Sequence, residues 1–207
     1  DPLATSGLLF LQMYRVPGFS FDNLSEAQSV SVFGQATYPV LEDTNLTLGL
    51  RQTWDQADGK ARTSLTGTPV VVMTNDNSFS DDTPTWRVSL DHQFTDDVMG
   101  YVSYNRGMKS GGVGITGVAD TITTYEPEEL DAYEIGIKSD LLDGRARFNA
   151  AVFYYDFSSI QFQRVVTGAG VIINGGDAES YGADAELEFQ ATDNLRLTAG
   201  ISLLDTE

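Results

Sequence analysis

Residues 181–203 read YGADAELEFQATDNLRLTAGISL, and their apolar side chains return at every second position. Tyr181, Ala183, Ala185, Leu187 and Phe189 alternate with Gly182, Asp184, Glu186, Glu188 and Gln190. After the turn Thr192-Asp193-Asn194 the alternation resumes, with Leu195, Leu197, Ala199, Ile201 and Leu203 set against Arg196, Thr198, Gly200 and Ser202. Successive side chains of a strand point to opposite faces, so each segment has one apolar face and one wet face, and the two form a tight hairpin.

The same count predicts nine strands, at about 7–14, 28–38, 45–55, 86–94, 98–106, 130–140, 145–157, 178–191 and 195–205. No stretch holds a period of 3.6, so the chain is all-β. The connectors at 39–44, 95–97, 141–144 and 192–194 are short and turn-like. Those at 15–27, 56–85, 107–129 and 158–177 are long and rich in Gly, Ser, Thr, Asn and Asp. In an up-and-down antiparallel sheet alternate connectors share an edge, so all the short ones are expected at one end and all the long ones at the other. That asymmetry belongs to outer-membrane barrels, whereas structureless loops of ~20 residues or more count against a compact soluble domain.

Aromatic placement supports the same reading. With the short turns placed inside, the outer ends of the apolar faces hold Trp54, Trp86, Tyr104, Tyr133, Tyr154 and Tyr181, and the inner ends hold Tyr38, Phe94, Phe148 and Phe189. Smaller aliphatics such as Leu48, Val88, Val102, Ile135, Ala185 and Leu187 lie between them. Two aromatic girdles flanking an apolar band are expected at the two membrane interfaces. The opposite parity carries Arg51, Thr53, Asp55, Arg87, Asp91, Glu134, Lys138, Arg147, Asn149, Asp184, Glu186 and Glu188, too many charges for a dry core and suited to a hydrated lumen.

Composition narrows the function. The chain has 207 residues, 41% of them hydrophobic and 20% charged, with a mean hydropathy of -0.17. Its apolar runs, such as 8–11 and 70–73, fall far short of the ~20 residues of a membrane helix. A formal net charge of -18 repels nucleic acid. With no cysteine and a single histidine, His92, neither a thiolate nor a multi-histidine metal site is expected, and no cofactor. His92 falls on the apolar parity near the inner interface, where a neutral imidazole is tolerable. Nine strands cannot close a bacterial single-chain barrel, which uses an even number, so further strands are expected outside this sequence.

Several segments carry a family resemblance. They are YVSYNRGMKSGG at 101–112, YEPEELDAYEIGIKSDLLDGRARFNAAVFYYDF at 125–157, SVSVFGQATYPVLEDTNLTLGLRQTWD at 29–55 and YGADAELEFQATDNLRLTAGISLLDTE at 181–207. Together they resemble the barrel of TonB-dependent outer-membrane receptors, over nearly all of the chain. The resemblance implies an antiparallel up-and-down transmembrane β-barrel of 22 strands, of which residues 1–207 form about nine from the middle. The plug domain, its TonB-binding segment and the terminal strands are expected elsewhere in a longer chain. It also implies a bacterial outer-membrane location among lipid and lipopolysaccharide, contact with the TonB complex through the plug, and import of a scarce nutrient such as a ferric siderophore or another metal chelate.

Each candidate site in the sequence also has a plainer role. Glu186 and Glu188 share a face, as a general acid and base would, but that face is the lumen wall, so no catalytic residues and no enzyme are expected. Asp55 to Gly59 and Asn75 to Asn77 lack the alternating ligands and terminal Glu of a calcium loop, and Asn23-Leu24-Ser25 and Asn45-Leu46-Thr47 read as loop and turn residues. The residues expected to meet a ligand are polar or aromatic groups at the outer end of the lumen and on the loops: Arg106, Lys109, Tyr125, Gln163 and Arg164. Two alternatives stay open on the residues alone. A passive porin-like barrel shares the alternation but needs no plug, and a soluble carbohydrate-binding β-sandwich would dissolve without detergent.

Overall fold

The computed structural model describes residues 8–16, 18–114, 123–166 and 169–207. Nine strands form one antiparallel sheet: β1 (Leu8–Val16), β2 (Phe19–Leu41), β3 (Thr44–Leu65), β4 (Val71–Thr95), β5 (Val98–Lys109), β8 (Glu128–Leu141), β9 (Ala146–Ser158), β12 (Ala178–Thr192) and β13 (Leu195–Thr206). Each pairs with the next in that order, a pure meander. Two short hairpins, β6 (Gly112–Gly114) with β7 (Thr123–Tyr125) and β10 (Gln161–Val166) with β11 (Ala169–Asn174), stand apart from the sheet.

The four short turns lie at one end, as expected. Glu42-Asp43, Asp96-Asp97 and Asp193-Asn194 each connect strands through two residues, and each has a register shift beside it that increases the local twist. The turns after Gln93-Phe94-Thr95 and Gln190-Ala191-Thr192 repeat one device. In each, the Gln Nε2 donates to the Thr backbone oxygen (2.7 and 2.6 Å), and the Thr Oγ1 accepts from the amide two residues on (3.3 and 3.4 Å).

The long connectors differ from expectation. Most of residues 56–85 is strand rather than loop: β3 runs out to Leu65 and β4 begins at Val71, paired along their length with one register shift, between Thr63 and Ser64. Residues 19–27 are likewise the outer half of β2, so β1 and β2 join across residues 17 and 18 and β1 pairs only with that outer half, at Leu8↔Ala27 to Val16↔Phe19. At ~3.3 Å per residue, the 22 residues of β3 span about 70 Å, more than twice what a crossing needs. Strands β2 to β4 therefore project far beyond the apolar band. In the projection Asp58, Lys60 and Arg62 point outward into water, while the inward face mixes Ala57, Gly59 and Ala61 with polar Asp55 and Thr63 and only scattered rings such as Phe79. The apolar period therefore fades there while pairing continues.

Register confirms the two faces of the wall. Leu48 pairs with Val88, and on the same outer face Leu90, Val102, Ile135, Val152, Ala183 and Leu203 form a row of direct cross-strand pairs from β4 onward; Ile135 and Leu203 are 57% and 62% exposed. Large aliphatics exposed outside and polar groups inside reverse the order of a water-soluble fold. On the same face Tyr104, Tyr133, Tyr154 and Tyr181 stand directly opposite one another on successive strands. Ring centroids lie 6.4 Å apart for Trp86 and Tyr104, 4.8 Å for Tyr104 and Tyr133, and 6.2 Å for Tyr133 and Tyr154. Trp54 shares this face opposite Val30 and Asp82. At the other end, Tyr38 is opposite Leu46, Phe148 opposite Leu187, and Phe189 opposite Leu197. Phe94 packs edge-on against His92, whose Nδ1 is 2.7 Å from Thr44 Oγ1.

Candidate functional site

Apart from Ala146 and Val171, the buried apolar side chains among the described residues lie on the inner face of the projecting ribbon: Phe21, Ala57, Ala61 and Phe79. The segment leaving β5 is seated there. Ser110 Oγ donates to Asp55 Oδ2 at 2.7 Å, and Gly111 passes so close to Phe79 and the Tyr125 carbonyl that a Cβ would lie 2.5 Å from each. Only glycine permits that approach, and it fixes where the β6–β7 hairpin begins.

The β10–β11 hairpin lies against this segment. Between the two hairpins is a cleft of about 510 Å3, a size suited to a small ligand. Lys109, Ser110, Tyr125, Gln161 and Gln163 supply its polar lining, with Phe162, Val113 and Ile172 as apolar surface. The Lys109 ammonium stands 3.8 Å from Glu128 and is largely exposed, so its charge remains available to an anion. Burial pushes the Tyr125 phenol above its ordinary value and keeps it a neutral donor at neutral pH.

Of the five residues expected at a ligand mouth, three line this cleft: Lys109, Tyr125 and Gln163. Arg164 is exposed on β10 and does not line it. Arg106 lies on the other side of the wall, which corrects its expected place at the lumen. It is opposite Asp131 on the face of Tyr104, forms ion pairs with Asp131 (2.8 Å) and Glu129, and stacks over Trp86 with Cζ 5.3 Å from the ring centroid. The signal was in the sequence, since Arg106 is two residues from Tyr104 and shares its parity. Ser110, Gln161 and Phe162 carried no such signal, because loop residues show no period.

The lumen face holds a second set of contacts. Tyr101 donates to Glu134 at 2.5 Å, Lys138 Nζ stands 5.4 Å from the Tyr101 ring, and Arg147 pairs with Asp140 at 2.7 Å. Asn45 donates to Asp91 at 2.9 Å. Glu186 and Glu188 lie opposite Asn149 and Arg147 on this wall and do not line the cleft between β6–β7 and β10–β11. Among the described residues no group of three or more acidic, histidine or cysteine side chains is placed to hold a metal ion.

The family model for the TonB-dependent receptor-like β-barrel matches residues 6–207. The chain belongs to the TonB-dependent receptor β-barrel family. It is 31% identical over 122 residues to the metal-pseudopaline receptor CntO of Pseudomonas aeruginosa, covering 58% of this chain and 16% of CntO. It is 27% identical over 187 residues to the probable TonB-dependent siderophore receptor PiuA of Acinetobacter baumannii, covering 87% of this chain and 24% of PiuA. The fold is that of the ferric yersiniabactin uptake receptor FyuA from Yersinia pestis, with a TM-score of 0.81 at 19% identity over 95% of this chain and 30% of FyuA. The chain thus spans less than a third of each of these receptors. The family is one of outer-membrane β-barrel transport receptors, and the chain is a receptor segment rather than an enzyme. In a barrel of this family the outward apolar band is the face that meets lipid and the charged face lines the lumen.

Proposed function

We propose that the full-length protein imports a metal chelate of siderophore type across the outer membrane, driven by TonB, and that the cleft between the two hairpins is part of its ligand mouth. The plug domain and the remaining strands lie outside residues 1–207 in this reading, and TonB acts through the plug. The observation that carries the proposal is the convergence of Lys109, Tyr125 and Gln163 on one cleft at the outer end of the wall. An ammonium suits an anionic chelate, the phenol and amide supply hydrogen bonds, and Phe162 and Ile172 meet apolar parts of a ligand. The receptor names of CntO and PiuA support the ligand class. Lipid and lipopolysaccharide surround the aromatic girdle.

The test is uptake of radioactive metal, offered as metal–pseudopaline and as ferric yersiniabactin, by cells in which the full-length protein is the sole receptor. Uptake of one chelate that disappears on deletion of TonB is expected, together with a roughly tenfold weaker uptake by Lys109→Ala or Gln163→Ala, about 1.4 kcal/mol of binding. Equal uptake with and without TonB would mark a passive, porin-like barrel instead.

A further inference from the structure

Gln161 and Asn174 stand directly opposite each other at the base of the β10–β11 hairpin, and both reach away from it to the other loop. Gln161 Nε2 lies within hydrogen-bond reach of three backbone oxygens there, those of Lys109 (3.3 Å), Ser110 (3.0 Å) and Glu126 (3.1 Å), so its two hydrogens are shared among three acceptors. The Gln161 amide donates to Glu128 Oε2 at 2.8 Å. Asn174 uses both ends of its side chain: Nδ2 donates to the oxygens of Glu126 and Ser159 (both 2.9 Å), and Oδ1 accepts from the Glu126 amide at 2.7 Å. The segment so gripped is itself fixed to the wall through Ser110 and Asp55 and through Gly111 against Phe79.

We infer that Gln161 and Asn174 are positioning residues that fasten the β10–β11 hairpin to the loop carrying β6 and β7, so that the two walls of the cleft are held, and move, as one body anchored to the β3–β4 ribbon. The inference rests on the ligand reading of that cleft for its functional meaning, but the fastening itself exists without ligand. Two independently mobile loops would share few direct bonds. Here one cross-strand pair ties the strand end bearing Lys109 and the residue next to Tyr125 to the hairpin bearing Gln163, which sets the spacing of all three.

The chain has no cysteine, so spin labels can be placed singly in the full-length receptor once any cysteine outside these residues is replaced. Labels at Lys60 on the outer face of the ribbon and at Arg164 on β10, both exposed, read the fastening by pulsed electron paramagnetic resonance. A narrow distance distribution is expected without ligand. Gln161→Met, which keeps length but removes the donors, and Asn174→Ala should broaden it roughly twofold. Gln161→Lys, which offers three donors and no acceptor, should restore it, a rescue that a merely packing role would not give. A control pair at Lys60 and Asp22, across β2 and β3, should not change in any variant. An unchanged Lys60–Arg164 distribution in Gln161→Met and Asn174→Ala overturns the inference, as does broadening that Gln161→Lys fails to reverse. Broadening with unchanged uptake of metal–pseudopaline and ferric yersiniabactin leaves the fastening in place and removes the ligand from this cleft.

Discussion

Tyr101 occupies the space that a side chain at Gly136 would fill. The two residues are directly opposite on β5 and β8, and a Cβ built on Gly136 would lie 2.6 Å from both Cζ and the hydroxyl of Tyr101. The ring covers bare backbone on the lumen wall and carries its hydroxyl to Glu134. Phe153 stands likewise over Gly182, its cross-strand partner, where the added Cβ would also meet the Leu203 carbonyl. Both are aromatic covers over cross-strand glycines, which help to pin register in a sheet.

Gly136→Ala should destabilise the barrel by ~1–3 kcal/mol, because the ring must swing away from its bond to Glu134. Gly182→Ala should cost more, since its obstacle is backbone. Gly34→Ala, with nothing within 4 Å of the new methyl, should be tolerated. A urea refolding titration of the full-length barrel in lipid vesicles ranks the three, and equal costs would remove the covering role.

Leu187→Arg places a charge on the lipid face and should cost ~2–4 kcal/mol in the same titration, against far less for Glu186→Arg on the lumen face. Leu187 lies between Phe148 and Ala199 in the apolar row, whereas Glu186 lies between Asn149 and Gly200. Equal costs would reverse the face assignment.

Arg106→Ala removes both ion pairs and the stack on Trp86. Because its carboxylate partners keep access to water, the expected loss is only about 1 kcal/mol, and it should shrink at high salt. Uptake should be unaffected, since the side chain faces away from the cleft. A tenfold uptake loss equal to that of Lys109→Ala would place Arg106 back in the ligand path.

Asp55 and Asp81 are opposite each other on the inner face of the ribbon, and Asp55 is buried there beneath Ser110. Like charges directly opposite oppose pairing, so Asp81→Asn should stabilise the ribbon by roughly 0.2–1 kcal/mol while keeping an acceptor for Thr83. Asp55→Ala should instead free the loop at Ser110. Hydrogen exchange of the β3 and β4 amides, followed residue by residue, should slow in the first variant; exchange at an unchanged rate would mean that the repulsion is already screened.

The membrane-spanning part of this chain was legible in its residues because lipid and water impose opposite demands on alternate side chains. Leu187 beside Glu186, or Tyr133 beside Glu134, announces the strand, its faces and its girdle together. Arg106 obeys the same rule: it shares the parity of Tyr104 and stands on that side, although its charge led to its being expected at the mouth. Beyond the band that signal fails: at 56–63 and 73–83 the side chains are mostly polar or small and a lone Phe79 makes no alternation, so pairing between β3 and β4 leaves no apolar period, and only the tertiary structure distinguishes a long ribbon from a loop. The cleft is further still from the sequence. Lys109, Tyr125 and Gln163 come together because Gly111 allows close approach to Phe79 and because Gln161 and Asn174 bond to backbone oxygens of a distant loop. Backbone acceptors are present at every residue, so no pattern of side chains marks which ones a given amide will find.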